Sequence, residues 1–143
     1  MATNTLPLKD IGHLIPQKAP FVMVDTLRSF SADKIKSSFQ ISEENLFVED
    51  SCLHESGLVE NMAQTVALHT GYDFFIKGEQ PPTGYIGSIK KITINRLPEL
   101  DETIYTEATI LHEFMGVTMV SIKVCDGSNT EIASGEMKTV IAS

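Results

Sequence analysis

The amino-acid sequence predicts an α+β fold, because one long helical segment follows a β-hairpin and precedes a series of strands. β-branched and aromatic residues cluster in short alternating segments on both sides of that helix. The later segments are joined by short turns that contain Gly, which is typical of antiparallel neighbours. A chain of 143 residues without an internal repeat corresponds to one domain, so we predict a single domain over residues 1–143.

Composition excludes several classes of function. Eleven Lys and Arg residues oppose nineteen Asp and Glu residues, giving a net charge of −8, which disfavours nucleic acid and anionic membranes as partners. We expect no secretory leader, because the first residues lack a basic head and an apolar stretch, and no apolar segment approaches the roughly 20 residues that would span a bilayer. We therefore expect a cytoplasmic protein in which Cys52 and Cys125 are free thiols.

The first predicted elements form a hairpin. Residues 21–30 have the composition of a strand, residues 31–33 form a turn, and apolar and polar residues alternate over 35–41. Residues 42–55 show no clear period and are expected to form a loop.

The long helix is predicted over residues 56–76. Leu58, Met62 and Val66 recur at helical spacing along one stripe. Ser56 is the expected N-cap, and Glu60 lies in the first turns. Residues 77–82 stop the helix with Gly and Pro. Three or four antiparallel strands are expected to follow, over 85–94, 103–114, 117–125 and 131–141.

Two motifs carry a resemblance to a known family. Residues 20–25, PFVMVD, resemble the P-F-L-L-V-D segment of hotdog-fold 3-hydroxyacyl-ACP dehydratases, and residues 60–64, ENMAQ, resemble their E-A-M-A-Q helix motif. Residues 84–87, GYIG, correspond to the start of a strand in that family. The dehydratase-like proteins of aryl polyene and flexirubin pigment clusters are more similar still, through residues 60–66 and through the ASG motif at 133–135.

This resemblance implies a hotdog fold, in which an antiparallel sheet curls around one central helix. It also implies a homodimer, or a heterodimer with a paralogue, that binds an acyl thioester or an acyl carrier protein. The expected reaction removes water from a 3-hydroxyacyl thioester whose acyl chain lies in an apolar tunnel. No cofactor and no metal are expected.

The resemblance also implies roles for particular residues. Glu60 corresponds to the helix carboxyl that delivers a proton to the departing hydroxyl, and burial on the helix would favour its protonated form. Gln64 lies four residues later on the same face, where its amide can orient Glu60. Gly57 is expected to bind the thioester carbonyl at the helix start, and Gly87 is a further candidate for substrate binding.

The catalytic base is the point where the chain departs from the family. The histidine of the family's H-F-P-G segment falls at Leu46, so His54 becomes the candidate base. His13, His69 and His112 are weaker alternatives, and Gln17 occupies the position of a family histidine. Cys52 is a remote candidate for a nucleophile.

Two other functions therefore remain open. A hotdog thioesterase would use Glu60 to activate water or to attack the thioester, without the missing histidine. A non-catalytic subunit would stabilise an active paralogue or hold the acyl chain. Lys90, Lys91 and Arg96 form the candidate basic patch for docking of an acidic carrier protein.

Overall fold

The structure is a computed structural model that describes residues 5–141. One long helix divides the strands into an N-terminal and a C-terminal group. The elements are β1 (Thr26–Ser31), β2 (Lys34–Gln40), β3 (Val48–Glu49), β4 (Cys52–Leu53), α1 (Glu55–Ile76), β5 (Gly84–Ile94), β6 (Thr103–Phe114), β7 (Val117–Cys125) and β8 (Glu131–Ile141).

Six strands form one antiparallel sheet in the order β1-β2-β6-β7-β8-β5. Helix α1 packs against this sheet, mainly over β2, β6 and β7. The connection after α1 carries the chain to the far edge, where β5 pairs with β8 alone. The predicted α+β class and the hotdog arrangement are confirmed. Within residues 5–141, no helix combines the length and the apolar character needed to cross a bilayer.

The core lies between the helix and the sheet. Leu58, Met62 and Leu68 of α1 are fully buried, as are Ile104 and Ile122 of the sheet. Polar residues are buried on the same helix, and their side chains form hydrogen bonds, which offsets the cost of removing them from water. They are Asn61, Gln64, Thr65 and His69.

The first strand was predicted to begin too early. It begins at Thr26, and the main chain of Met23 is bonded to side chains of α1 instead of to a neighbouring strand. The β-rich composition of residues 21–25 therefore reflects burial against the helix. Residues 42–55 also contain more structure than expected, because Asp50 and Ser51, with φ of 54° and 63°, form the turn between β3 and β4.

The predicted N-cap is also wrong. The helix begins at Glu55 and His54 is its N-cap, without a side-chain capping bond. The turn between β3 and β4 and the bond from the N–H of His54 to the carbonyl of Phe47 bring the chain into the helix one residue earlier. Ser56 therefore lies inside the first turn.

An N-terminal strap, defined as residues 8–18, packs across the helix. Leu8 forms a bridge with Leu27, and Ile11, Leu14 and Ile15 are buried. The Nζ of Lys18 donates to the carbonyl of Gly12 at 2.9 Å, which closes the strap on itself. Sequence periodicity did not indicate that this short segment belongs to the core.

The predicted basic patch is largely neutralised. Arg96 lies beyond the end of β5 and pairs with Glu102 and with Asp126, the latter at 3.0 Å. The Nζ of Lys91 lies 3.6 Å from Oε2 of Glu136. These pairs leave little unopposed positive charge for an acidic partner.

The Arg96 cluster makes stability depend on pH. The hydrogen bond from Arg96 holds the pKa of Glu102 below its ordinary value. The pKa of Asp126 is lowered first by the N–H of Thr130 and then by Arg96. A carboxyl group whose pKa is lower in the folded than in the unfolded protein stabilises the fold at pH values above its unfolded-state pKa. This stabilisation is lost as the pH falls through the folded-state pKa. The free energy of unfolding is therefore expected to decrease below about pH 4.

Urea unfolding between about pH 6 and about pH 3 measures this dependence. Arg96→Met is expected to weaken the dependence of the unfolding free energy on pH, because both carboxyls then lose the cation that favours their ionised form. Lys9→Met, which makes the same charge change at an exposed position, is the control. An unchanged pH dependence in Arg96→Met would contradict the assignment of this pH dependence to the ion pairs of Arg96.

Candidate active site

The candidate site is centred on Glu60, in the second turn of α1, where the side chain is half-buried. Its Oε2 accepts a hydrogen bond from Nε2 of Gln64 at 2.9 Å. The predicted contact between these two residues is confirmed. The catalytic role of Glu60 remains a prediction.

Gln64 is completely buried and all parts of its amide are engaged. Its Oε1 accepts from the N–H of Met23 at 2.6 Å, and its Nε2 donates to the carbonyl of Phe21 at 2.7 Å. A main-chain N–H can only donate, so the amide has one possible orientation. The second N–H of Gln64 therefore points to Glu60.

Gly57 is buried at the helix start, but its N–H is already used. It donates to the carbonyl of His54 at 2.9 Å. The role of Gly57 and its surroundings in binding the thioester carbonyl stays a prediction, although this particular N–H is occupied. The N–H groups of Glu55 and Ser56 precede the first intrahelical bond and are the donors that helical geometry leaves available. A side chain at Gly57 would meet Leu53, since an added Cβ would lie 2.5 Å from its Cδ1.

Gly87 lies in β5 at an irregularity of the pairing with β8. An added Cβ would lie 3.2 Å from Cγ2 of Val140. Its neighbours Gly84, Tyr85 and Ile86 line a cavity of about 420 Å³ between α1 and the sheet, whereas Gly87 does not. Its role in substrate binding stays a prediction without support from this geometry.

His54 faces the β3–β4 turn. Its Nε2 lies 3.0 Å from the carbonyl of Glu49, and its Nδ1 lies 3.8 Å from Oε1 of Glu55. Among residues 5–141, the hydrogen bonds and ion pairs of His54 do not include Glu60. Glu49, Asp50 and His54 offer ligand atoms within 4.8 Å of one another, but these groups are exposed or half-buried, and the prediction of no metal is untested.

The other three histidines have structural contacts. His13 packs edge-on against Phe75 at 4.9 Å, and His69 stacks on Phe30 at 4.8 Å while its Nε2 lies 2.9 Å from the carbonyl of Ser31. His112 is exposed on β6. Within residues 5–141, hydrogen bonds thus join none of the four histidines to the Glu60 carboxyl.

Cys52 and Cys125 are free and half-buried, as predicted. Cys52 lies in β4, and its main chain forms a bridge with Glu99. This location gives Cys52 no contact with Glu60 that would support a nucleophilic role.

A cavity of about 420 Å³ lies between α1 and the sheet, and Glu60 itself is not among the residues that line it. Ala63 and Ala67 line it from α1, and Ile110 and Val120 line it from the sheet. These two alanines follow Glu60 by three and seven residues, so they share its helix face. The lining of the cavity on α1 therefore begins about one helical turn after Glu60.

The strap closes the other end of this cavity, through His13, Leu14 and Gln17. The Oε1 of Gln17 is buried, and it has no hydrogen-bond partner among residues 5–141. Sequence reasoning identified Gln17 only as the replacement of a family histidine and did not place the strap on the cavity wall.

Solved structures share this fold over most of the chain. The dehydratase heterocomplex ApeI:P from Xenorhabdus doucetiae is similar with a TM-score of 0.86 and 14% identity, covering 97% of this chain and 93% of that one. An HP0420 homologue from Helicobacter felis has a TM-score of 0.72 and 18% identity, covering 98% and 93%. A hypothetical thioesterase with coenzyme A from Streptococcus pneumoniae has a TM-score of 0.67 and 8% identity, covering 81% and 84%.

A search of curated proteins finds no match to this chain. In contrast, the family model described as ApeP-like, ApeP dehydratase, matches residues 9–141. This match includes both motifs, the whole sheet and the helix that carries Glu60. The chain belongs to the ApeP-like dehydratase family.

Proposed function

We propose that this chain supplies the acid of a dehydratase site that removes water from a 3-hydroxyacyl thioester. The observation that carries the proposal is the Glu60 carboxyl, which a buried amide holds on the same helix face that lines a cavity of about 420 Å³ from Ala63 onward. Membership of a dehydratase family supports the reaction class. The cavity would hold the acyl chain with the reacting carbons near Glu60.

The proposed step is an elimination. A base takes the proton from C2, and the electron pair of that C–H bond forms the C2=C3 double bond. The C3–O bond breaks with its electron pair on oxygen, and Glu60 gives that oxygen a proton, so that water leaves. The N–H groups of Glu55 and Ser56 would stabilise the negative charge that develops on the thioester oxygen.

The base in this proposal comes from a second subunit, either another copy of this chain or a paralogue. It is supported by the hydrogen bonds within residues 5–141, which join Glu60 to Gln64 and to none of the four histidines. The similarity to a dehydratase heterocomplex supports an assembly of two different chains. An acyl carrier protein is the proposed carrier of the thioester.

His54→Ala distinguishes a base within this chain from one in a partner. If the partner supplies the base, the variant is expected to keep kcat within about threefold, because general-base catalysis is worth about 10²- to 10⁴-fold. The assay is steady-state hydration of an enoyl thioester, followed by absorbance. A loss of about 100-fold or more would assign the base to His54.

Mass spectrometry of a 3-hydroxyacyl carrier protein tests the function itself. The protein is incubated alone and with a paralogous dehydratase subunit, and loss of water from the acyl group is recorded. We expect conversion in at least the mixed sample, and the reverse hydration from the enoyl carrier. An unchanged acyl group in both directions and both samples would refute the proposal.

Thioester hydrolysis is the second candidate, favoured by a carboxyl without a neighbouring histidine. In the same samples, hydrolysis is detected as release of the free thiol of the carrier protein. Release of free thiol without loss of water would assign the chain to hydrolysis instead of dehydration.

A further inference from the structure

A chain of buried hydrogen bonds links the sheet to the helix next to Glu60. The Oγ1 of Thr106, on β6, donates to Oδ1 of Asn61 at 2.6 Å. The Nδ2 of Asn61 donates to the carbonyl of Met23 at 2.7 Å. All three residues are completely buried.

The series of hydrogen bonds continues from Met23 to the carboxyl of Glu60. The N–H of Met23 donates to Oε1 of Gln64, and Nε2 of Gln64 donates to Oε2 of Glu60. The main chain of Met23 accepts only at its carbonyl and donates only at its N–H, which fixes the orientation of both amides. Every donor in the series therefore points towards Glu60.

This geometry distinguishes the two oxygens of Glu60. Oε2 receives an N–H from Gln64, so a proton on the carboxyl is held by Oε1. The position of Gln64 depends in turn on the main chain of residues 21–23, which Asn61 holds against the helix. A buried amide without partners costs about 1–3 kcal/mol, but both ends of the Asn61 side chain are bonded.

We propose that Asn61, anchored by Thr106, is a positioning residue for Glu60. It holds the main chain of Met23 where Gln64 binds Oε2 and leaves Oε1 as the oxygen that carries the acid proton. This inference rests on the proposed function of Glu60. The E-A-M-A-Q motif of the resembled dehydratases has Ala at this position, and Ala has no side-chain amide that could bind Thr106.

Thr106→Val tests the proposal, since it removes the first donor with little change in shape. We expect kcat of the active assembly to fall about 10- to 100-fold with KM nearly unchanged, the consequence of a small misplacement of the acid. Thr106→Ser keeps the hydroxyl and is expected to restore kcat to within about threefold of wild type.

Ser37→Ala is the matched control. Ser37 is also completely buried on the sheet, and its hydroxyl bonds that of Thr65 on α1 at 2.8 Å. The Thr65 hydroxyl donates to the main-chain carbonyl of Asn61, so this contact does not involve the Asn61 side chain that leads to Glu60. Ser37→Ala is expected to lose similar stability and to keep kcat. Equal effects of Thr106→Val and Ser37→Ala on kcat would overturn the proposal. If Thr106→Val does not fold, Asn61→Ala makes the same test with the residue of the resembled motif.

A second readout does not depend on turnover. Hydrogen exchange of the Gln64 side-chain amide, measured by NMR, is expected to become about tenfold faster in Thr106→Val and to remain unchanged in Ser37→Ala. Unchanged exchange in both variants would overturn the proposal. Full activity of Glu60→Gln would refute the proposed function of Glu60. An inactive Glu60→Gln together with a fully active Thr106→Val would refute only the positioning role of Asn61.

Discussion

Glu60→Gln is expected to lower the rate of water loss by about 10²- to 10⁴-fold, which is the usual contribution of a general acid. The substituted amide keeps the shape of the side chain, and its oxygen can still accept the hydrogen bond that Gln64 donates to Oε2 at 2.9 Å. It cannot deliver a proton to the departing hydroxyl. The loss should therefore appear in kcat, with KM close to that of wild type.

The measurement is the initial rate of enoyl formation from a 3-hydroxyacyl thioester, in the assembly that shows activity. Glu79→Gln, an exposed position after the helix, makes the same charge change and is expected to behave as wild type. Urea unfolding of both variants separates chemistry from folding. A Glu60→Gln variant that retains half of the wild-type kcat would show that another group supplies the proton.

Gly71→Ala is expected to destabilise the fold by about 2 kcal/mol or more, although alanine favours an isolated helix by about 1 kcal/mol. An added Cβ would lie 1.8 Å from the carbonyl oxygen of Leu14 and 2.8 Å from its carbonyl carbon. These are main-chain atoms, so a rotamer change cannot relieve the overlap. The steric effect exceeds the helix preference, and the N-terminal strap has to move away from the helix.

Displacement of the strap has a second consequence, because His13 and Gln17 close the cavity from that side. We therefore expect KM for long acyl thioesters to increase in Gly71→Ala. The chain contains no Trp, so urea unfolding is followed by circular dichroism. Gly12→Ala, where an added Cβ has no atom within 4 Å, is the control. Equal stability of the two variants would show that the strap does not depend on this close approach.

Local patterns predicted the strands of the C-terminal half well. The predicted strands over 103–114, 117–125 and 131–141 coincide with β6, β7 and β8. Alternation of side chains and short turns are properties of a few adjacent residues, and they are readable without knowledge of the fold. The end of α1 at Ile76 was also predicted, because Gly and Pro follow it directly.

Local sequence patterns predicted only part of the candidate site. The spacing of Glu60 and Gln64 predicted their contact, since residues four apart share a helix face. The use of the Gly57 N–H by His54 depends on where the helix begins. That start is set by a turn and a hydrogen bond to Phe47, which no local pattern of residues 54–57 indicates.

The sequence by itself therefore determined the fold class, the long helix, most strands and the Glu60–Gln64 pair. Only the tertiary structure decided that residues 21–23 bind the helix instead of forming a strand, that the strap closes the cavity, and that Thr106 is linked to Glu60. The reason is separation along the chain: the contacts of Met23 with Asn61 and Gln64 span 38 and 41 residues. Such hydrogen bonds leave no periodic signal in either segment, and they form only when packing brings the segments together.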